Sequence, residues 1–324
     1  MTPAVSVVMP VYDGEAYLGL ALDSILAQTF LDFELIAVDD GSRDGSRALL
    51  ERCAARDPRV RVIARPHAGV SATLNAGLAF ARGALIARMD ADDVAHPERL
   101  ARQVAHLRAH REIVALGAEV EVIDPQGWPI RTLGVPLDHD AIDTALLRGR
   151  GEALVHPVAM FRREALEAVG GYRGAFDHAE DIDLYLRLAE RGRLANLPET
   201  LLQYRHHLRN TTHACEHEHR RIVNEVLREA RLRRGLDAAP SLGLPPAATD
   251  TSAIDYWCEW VRQAVIGGNL ATARKHAFAV LRAEPVRWRS WQLLLRALLG
   301  LRVEFVKRWL ARARSVTNPQ VAGE

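Results

Sequence analysis

The chain has 324 residues, of which 48% are hydrophobic, so it can bury the core of one large domain and a smaller one. Its formal net charge of +1 hides an asymmetry, because residues 1–215 carry 24 basic and 30 acidic side chains while residues 216–324 carry 18 and 11. Three widely spaced cysteines without a Cys-x-x-Cys motif argue against a disulfide framework and a thiolate metal site. Since neither a signal sequence nor an apolar run of ~18 residues occurs, we expect a cytoplasmic globular protein.

The first third of the chain alternates short apolar, β-branched runs with segments of helical spacing. Such alternation predicts an α/β fold whose parallel sheet is covered on both faces and binds ligands at the carboxyl ends of its strands. The predicted elements are strand Val5–Val11, a helix over Tyr17–Leu26, strand Glu34–Val38, helix Ser46–Ala55, strand Val60–Ala64, helix Ala72–Ala81 and strand Ala84–Ala87.

The rest of the chain is predicted to be helical with two further strands. Residues 237–252 are rich in Pro, Ala, Gly and Ser and lack an apolar face, so they predict a linker. Residues 253–314 have a helical pattern and hold five of the six tryptophans. The other predicted elements are a helix from Pro97 to about His110, strands Ile113–Leu116 and Val120–Ile123, a turn at Asp124–Gly127, and helices at Ala179–Glu190 and 216–234.

Three carboxylates, Asp90, Asp92 and Asp93, occur within four residues directly after the strand predicted at Ala84–Ala87. Carboxylates crowded in this way repel one another, so the pattern favours compensation by a divalent cation or a hydroxyl-rich ligand. Their hard oxygen atoms suit Mn²⁺ or Mg²⁺, and an Asp-x-Asp pair leaves metal positions open for substrate phosphates. We therefore predict a metal site at Asp90 and Asp92 that receives a nucleotide diphosphate. For Asp93, capping of the following helix is the alternative.

The order of the motifs over residues 5–215 resembles that of the family 2 glycosyltransferases. The resemblance implies a Rossmann-like glycosyltransferase A fold with a mostly parallel central sheet, followed by a C-terminal α-helical extension. We expect a catalytic domain at 1–215, a connecting helix at 216–236, a linker at 237–252 and the helical extension at 253–324. The segments that carry the resemblance are Pro10–Gly14, Val38–Ser46, Gly69–Gly77, Met89–Asp93, Gly170–Tyr172, Ala179–Leu184 and Tyr204–His207.

The resemblance also implies which residues bind the donor. Asp39 is expected to contact the nucleobase, and Tyr12 to stack on it, with an ordinary core tyrosine as the alternative. The loop that opens the helix at Gly69–Gly77 is expected near the diphosphate. Leu74 occupies a position where many members of the family have Arg. One cation that could neutralise the diphosphate is therefore missing from this loop. The donor-binding residues implied by the matched motifs are Pro10, Tyr12, Asp39, Asp40, Asn75, Asp90 and Ala91.

Catalysis is assigned by resemblance to Asp181, with Glu180 as the next candidate. In an inverting transfer, a carboxylate removes the proton of the acceptor hydroxyl as it attacks the anomeric carbon. A position at a helix start would keep Asp181 ionised, although both carboxylates also suit the helix dipole alone. The resemblance places His207 with Asp92 at the metal, and His156 is a candidate for the acceptor side.

The predicted function is metal-dependent, inverting transfer of a sugar from a nucleotide-diphosphate sugar, with UDP-sugar favoured, to a glycan or lipid-linked acceptor in surface polysaccharide synthesis. A sugar-phosphate nucleotidyltransferase is one alternative, disfavoured because Pro10–Gly14 is not a glycine-rich basic loop. A non-catalytic nucleotide-sugar-binding scaffold is the other.

The sequence also bears on binding to a membrane, to zinc and to nucleic acid. The basic, tryptophan-containing stretch within 253–314 suits peripheral contact with an anionic membrane, and packing on the catalytic domain is the alternative. Zinc binding by the segment from His213 to His219 is disfavoured against a solvated helix face. No nucleic-acid-binding motif is present, so we expect no nucleic-acid partner.

Overall fold

The computed structural model describes residues 2–208, 216–237 and 252–300. Within these ranges the chain is a mixed α/β protein, as predicted. Its strands are β1 Val5–Val11, β2 Phe33–Asp39, β3 Val60–Ala64, β4 Leu85–Arg88, β5 Val94–Ala95, β6 Ile113–Ile123, β7 Pro129–Leu133, β8 Met160–Arg162 and β9 Arg193–Arg205. Its helices are α1 Glu15–Leu26, α2 Ser46–Arg56, α3 Val70–Phe80, α4 Arg99–Ala109, α5 His139–Leu146, α6 Arg163–Ala168, α7 Glu180–Ala189, α8 Glu216–Arg233, α9 Ala253–Ile266, α10 Leu270–Ala283 and α11 Trp288–Leu299.

The strands form one sheet in the order β3-β2-β1-β4-β8-β6-β9-β5, with β7 paired to β6. Strands β3, β2, β1 and β4 run parallel, whereas β8 is antiparallel to both β4 and β6. The register pairs Val11 with Asp39 and Val8 with Arg88, so β1, β2 and β4 all end at the same edge. The carboxylates of Asp39 and Asp40 therefore lie at the end of β2, and those of Asp90, Asp92 and Asp93 follow β4. Both groups are at the edge where ligands are expected.

The two faces of β1 explain why the parallel strands are apolar throughout. Val7 and Met9 belong to the core covered by α1, α2 and α4, whereas Val8 belongs to the core covered by α3 and α7. Helix α3 lies very close to the sheet, because a Cβ atom added to Gly77 would be 2.4 Å from Cγ1 of Val8. Glycine is thus needed at position 77 for contact between α3 and β1.

Two local predictions differ from the structure. The strands predicted at Ile113–Leu116 and Val120–Ile123 form one continuous strand, β6, because pairing across the sheet overrides the break at Gly117. Asp93 does not cap the following helix: α4 begins only at Arg99, with Glu98 at the N-cap, and Asp93 accepts a hydrogen bond from the backbone N–H of Arg205. The capping alternative for Asp93 is therefore wrong.

The chain forms two compact units. The first contains residues 1–121, 133–205 and 209–248, and the second contains 122–132, 206–208 and 249–324. Helix α8, the predicted connecting helix, packs on α7 in the first unit through its apolar stripe. Residues 122–132, which the sequence analysis assigned to the catalytic domain, group instead with the C-terminal helices. In the described part of the chain, no helix has the length and apolar composition needed to cross a membrane.

The second unit is organised around a buried carboxylate, Asp124. Its Oδ1 atom accepts hydrogen bonds from the backbone N–H groups of Gln126 and Trp128, which closes the predicted turn. Its Oδ2 atom contacts Lys275 and lies 2.8 Å from Nε2 of His276, both on α10. Burial acts to raise the pKa of Asp124, but the hydrogen bonds from His276 and Lys275 outweigh it and hold the pKa at about 2.

We predict that Asp124→Asn lowers the free energy of unfolding of this unit by about 3 kcal/mol at pH 7, because it leaves the buried His276 and the partly exposed Lys275 without a carboxylate. The depressed pKa makes the wild-type contribution complete above the unfolded value of about 4, and it is lost as pH falls through about 2. All six tryptophans lie in the second unit, so denaturant unfolding followed by tryptophan fluorescence reports on it directly.

The matched control is Glu259→Gln in the same unit, which removes an exposed ion pair with Arg262 and should cost less than about 1 kcal/mol. Equal stability of the Asp124 variant and the wild type at pH 7 would contradict the assignment of Asp124 as the organising group.

Candidate active site

The carboxylates after β4 lie together. One ligand oxygen from each of Asp90, Asp92 and Asp93 falls within 4.8 Å of the others. Asp93 is fully buried, whereas Asp90 and Asp92 are partly exposed. The predicted pair at Asp90 and Asp92 is therefore joined by a third carboxylate, that of Asp93.

Three arginines hold this acidic loop. The buried guanidinium of Arg88 forms an ion pair with Asp90. Arg99, also buried, donates from Nη2 to the Arg88 carbonyl oxygen at 2.6 Å, and burial lowers its pKa to about 9. Arg205 donates its backbone N–H to Oδ1 of Asp93 at 2.8 Å and its Nε–H to the Asp92 carbonyl oxygen at 2.8 Å. The loop is thus fixed from β4, α4 and β9 together.

The cluster meets the chemical requirements of a divalent cation site. Burial, followed by the charges of Asp92 and Asp90, raises the pKa of Asp93. Oδ2 of Asp93 is buried and makes no hydrogen bond within the described residues, so a buried acceptor is left without a partner there. Oxygen donors at this spacing fit Mn²⁺ or Mg²⁺. His207 belongs to the second unit, and its role as a metal ligand stays a prediction.

The two carboxylates after β2 have different surroundings. Asp39 accepts a hydrogen bond from the backbone N–H of Ser42 within its own turn. Asp40 instead accepts from the backbone N–H groups of Ala68 and Gly69 and lies 2.8 Å from Nδ1 of His67. Asp40 therefore fixes the loop after β3. The structure gives it a structural role, and its predicted contact with the donor stays a prediction.

Tyr12 is not a core residue, so that alternative is wrong. Its side chain is 44% exposed and stacks on His67 with ring centroids 4.3 Å apart and an angle of 27° between the planes. An exposed aromatic pair beside Asp39 offers a flat apolar surface at the edge of the sheet. Pro10 is the last residue but one of β1, and Ala91 faces the start of α1, where an added Cβ at Gly14 would lie 3.5 Å from its Cβ.

Two backbone amides at the N-terminus of α3 are paired with protein carboxylates. The N–H of Gly69 donates to Asp40, and the N–H of Ser71 donates to Asp177 at 3.3 Å. Gly69 has φ +90°, and an added Cβ would lie 2.4 Å from Oδ2 of Asp177. These two amides are therefore not free for a diphosphate, and the expected position of the diphosphate near this loop stays a prediction. In the same helix, Asn75 exchanges two hydrogen bonds with the backbone of Tyr172, at 2.8 and 3.0 Å.

Glu180 and Asp181 form the first turn of α7, as predicted, but neither is an ordinary solvated carboxylate. Burial raises the pKa of Asp181 and, together with the charge of Asp181, raises the pKa of Glu180 to about 8. The expectation that the helix start keeps Asp181 ionised is thus opposed by burial. His178, just before the helix, has φ +77°, and its carbonyl contacts Nδ1 of His219 on α8.

The acidic loop and the start of α7 are electrostatic neighbours. Burial, Asp92 and Asp181 raise the pKa of Asp90, and the guanidinium of Arg88 opposes them. Arg88 also acts on both Glu180 and Asp181, whose pKa values it lowers. Asp181 is therefore near enough to Asp90 to raise its pKa, and Arg88, a buried cation that the sequence analysis did not single out, acts on both.

His156 is buried rather than exposed at a binding surface. Its Nε2 lies 2.9 Å from the hydroxyl of Tyr172, and its ring packs edge-on against Tyr185. Burial, aided by Arg88, lowers its pKa well below the usual value, so the imidazole is neutral. This is the structural role that a lone histidine most often has, and contact with an acceptor stays a prediction.

Comparison with known proteins identifies the family. The family model described as Glycosyl transferase family 2 matches residues 6–170. The chain belongs to that family. An O-antigen biosynthesis glycosyltransferase of Escherichia coli, WbnJ, is 33% identical over 211 residues, which cover 64% of this chain and 81% of that protein. The protein is therefore a glycosyltransferase, and the resemblance stated from its motifs is confirmed.

Solved structures support the fold of this glycosyltransferase at low sequence identity. TarS 1–349 of S. aureus, in complex with UDP-GlcNAc, superposes with a TM-score of 0.58 at 17% identity, over 91% of this chain and 79% of that one. The mannosyltransferase PcManGT of Pyrobaculum calidifontis, in complex with GDP-Man and Mn²⁺, gives 0.52 at 20% identity, over 94% and 87%. The predicted glycosyltransferase A fold is confirmed.

Proposed function

We propose that this glycosyltransferase moves a sugar from a nucleotide-diphosphate sugar to a glycan or lipid-linked acceptor, with inversion and with Mn²⁺ or Mg²⁺. The observation that carries the proposal is the cluster of Asp90, Asp92 and Asp93 after β4, with Asp181 near enough to raise the pKa of Asp90. A synthetic role in surface polysaccharide is supported by WbnJ, whose name refers to O-antigen biosynthesis. We further propose that the reaction takes place on the cytoplasmic side of the membrane.

Asp92 and Asp93 would hold the cation, with Asp90 beside them. The buried Oδ2 atom of Asp93 lacks a hydrogen-bond partner in the described chain, and the cation would supply the missing charge. Once bound, a divalent cation neutralises the negative charge that develops on the departing diphosphate. PcManGT, crystallised with GDP-Man and Mn²⁺, supports a cation of this kind.

The nucleoside would bind beside β1 and β2. Tyr12 and His67 offer an exposed stacked pair, and the carboxylate of Asp39 follows the neighbouring strand. A carboxylate can accept the imide proton of uracil or thymine, so these residues favour a UDP-sugar without excluding a thymidine donor. A thermal-shift screen of nucleotide sugars with Mn²⁺ tests this, because a ligand that binds the folded state alone raises the melting temperature.

Asp181 would act as the base. The acceptor hydroxyl attacks the anomeric carbon, its proton passes to the Asp181 carboxylate, and the bond from that carbon to the diphosphate oxygen breaks on the opposite side. Burial raises the pKa of Asp181, which strengthens it as a base, and the nearby Arg88 acts against that shift and favours the ionised form. Glu180, with a pKa of about 8, is protonated at neutral pH and would donate a hydrogen bond rather than take a proton.

We predict that Asp92→Ala abolishes transfer by removing a metal ligand, while Asp90→Ala weakens metal and donor binding together. The loss of Mn²⁺-dependent donor affinity should be about 100-fold or more for Asp92→Ala, since even groups behind the ligands contribute about 10–100-fold. Calorimetric titration of the donor at increasing Mn²⁺ measures it. Glu98→Gln, an exposed carboxylate at the start of α4, is the control. Wild-type metal dependence in the Asp92 variant would overturn the metal assignment.

We predict that Asp181→Asn keeps donor affinity but lowers kcat by about 10²-fold or more, because the amide preserves shape and cannot accept the proton. Steady-state transfer and donor calorimetry separate the two effects. Asp183→Asn is the contrast on the same helix: this buried carboxylate pairs with Arg173 and Arg187, so its loss should lower the melting temperature. Near wild-type transfer by a folded Asp181 variant would overturn the assignment of Asp181 as the base.

A further inference from the structure

Helix α11 in the second unit has an exposed apolar stripe. Its buried side consists of Ser290, Leu293, Leu294 and Ala297, which pack toward the unit interior. At helical spacing, residues 288, 291, 295, 298 and 299 share the opposite side. These are Trp288, Trp291, Leu295, Leu298 and Leu299, which are 73, 50, 51, 47 and 48% exposed. The helix is therefore apolar toward its own unit and apolar again toward the outside.

A basic strip borders this stripe. Arg289, Gln292 and Arg296 are exposed and occupy the sector of the helix beside Trp288 and Leu299. Arg289 forms an ion pair with Asp255 at 3.9 Å. Both side chains are about half exposed, so this pair is weak. Across residues 253–300 there are seven basic and three acidic residues, so the helices around α11 carry a net positive charge.

We propose that α11 is a membrane-contact helix that lies on a bilayer of anionic phospholipid. Two exposed tryptophans and three leucines in one stripe suit the region between head groups and acyl chains, and the arginines beside them match the negative head groups. Charge complementarity thus favours an anionic lipid surface over a second, equally basic copy of this unit. The inference rests on α11 alone, so it can fail without affecting the proposed reaction.

The test uses the full-length chain and flotation with vesicles of phosphatidylcholine, with or without 30 mol% phosphatidylglycerol. We expect binding to the anionic vesicles that weakens with salt, since screening shortens the reach of the arginines. Two double variants, one changing Trp288 and Trp291 to serine and one changing Arg289 and Arg296 to glutamine, should each lower the partition coefficient by about tenfold or more.

Matched controls come from the neighbouring helices of the same unit. Ile266→Ser removes a 70% exposed apolar side chain from α9, and Arg282→Gln removes an exposed arginine from α10. Both should bind vesicles as the wild type does. Circular dichroism and the melting temperature of each variant verify that the unit is folded before its binding is compared.

A second readout locates the contact. In vesicles of brominated lipid, the wild-type tryptophan emission should be quenched, and the variant lacking Trp288 and Trp291 should lose most of that quenching. Three results would overturn the proposal. The first is that the wild type does not bind anionic vesicles. The second is that both α11 variants bind as the wild type does, which would place the contact elsewhere. The third is concentration-dependent dimerisation that the tryptophan variant abolishes, which would identify a second copy of the chain as the partner of this surface.

Discussion

The interaction on which the active site depends is the ion pair between the buried guanidinium of Arg88 and the partly exposed carboxylate of Asp90. Four other carboxylates, Asp92, Asp93, Glu180 and Asp181, share its neighbourhood, and Arg88 acts on the pKa of most of them. A buried guanidinium lowers the free-energy cost of assembling so much like charge at one strand edge. It does not neutralise the cluster, and the remaining negative charge is what would attract the proposed divalent cation.

The fold supplies the rigidity that this charge distribution needs. Parallel strands β1, β2 and β4 end together, so the turns that follow them are neighbours although they are far apart in sequence. Arg99 and Arg205 then fix the backbone of the acidic loop by hydrogen bonds to main-chain atoms. In the same way, Asp40 and Asp177 use their charge to hold the loop at Gly69. Some charged groups at this edge therefore hold the loops in place, and others are available to bind ligands.

The sequence predicted the elements whose patterns are local. Strands β1 to β4 are apolar runs and α1 to α4 are periodic, so burial alone defines them. Strand β8 has only three residues, and β9 contains Pro198. Both strands depend on pairing with distant strands, so no local sequence pattern predicted them. Likewise, Asp90 and Asp92 were found by their spacing, whereas the parts played by Arg88, Arg99 and Arg205 depend on tertiary contacts. Asp40 and Asn75 were also found from their motifs, but both form hydrogen bonds to backbone groups. A motif can therefore identify a functional or structural residue without showing whether its side chain contacts a ligand or the backbone.

The central claim is that the loop from Asp90 to Asp93 binds a divalent cation together with a nucleoside diphosphate. Anomalous diffraction from crystals grown with Mn²⁺ and UDP tests it most directly, because the manganese signal locates the cation without assumptions about activity. We expect one strong peak within coordination distance, about 2.0–2.3 Å, of oxygen atoms from Asp92 or Asp93 and of the diphosphate, with Arg88 still paired to Asp90. A fully occupied nucleotide with no peak at these carboxylates, or a peak elsewhere on the protein alone, would contradict it.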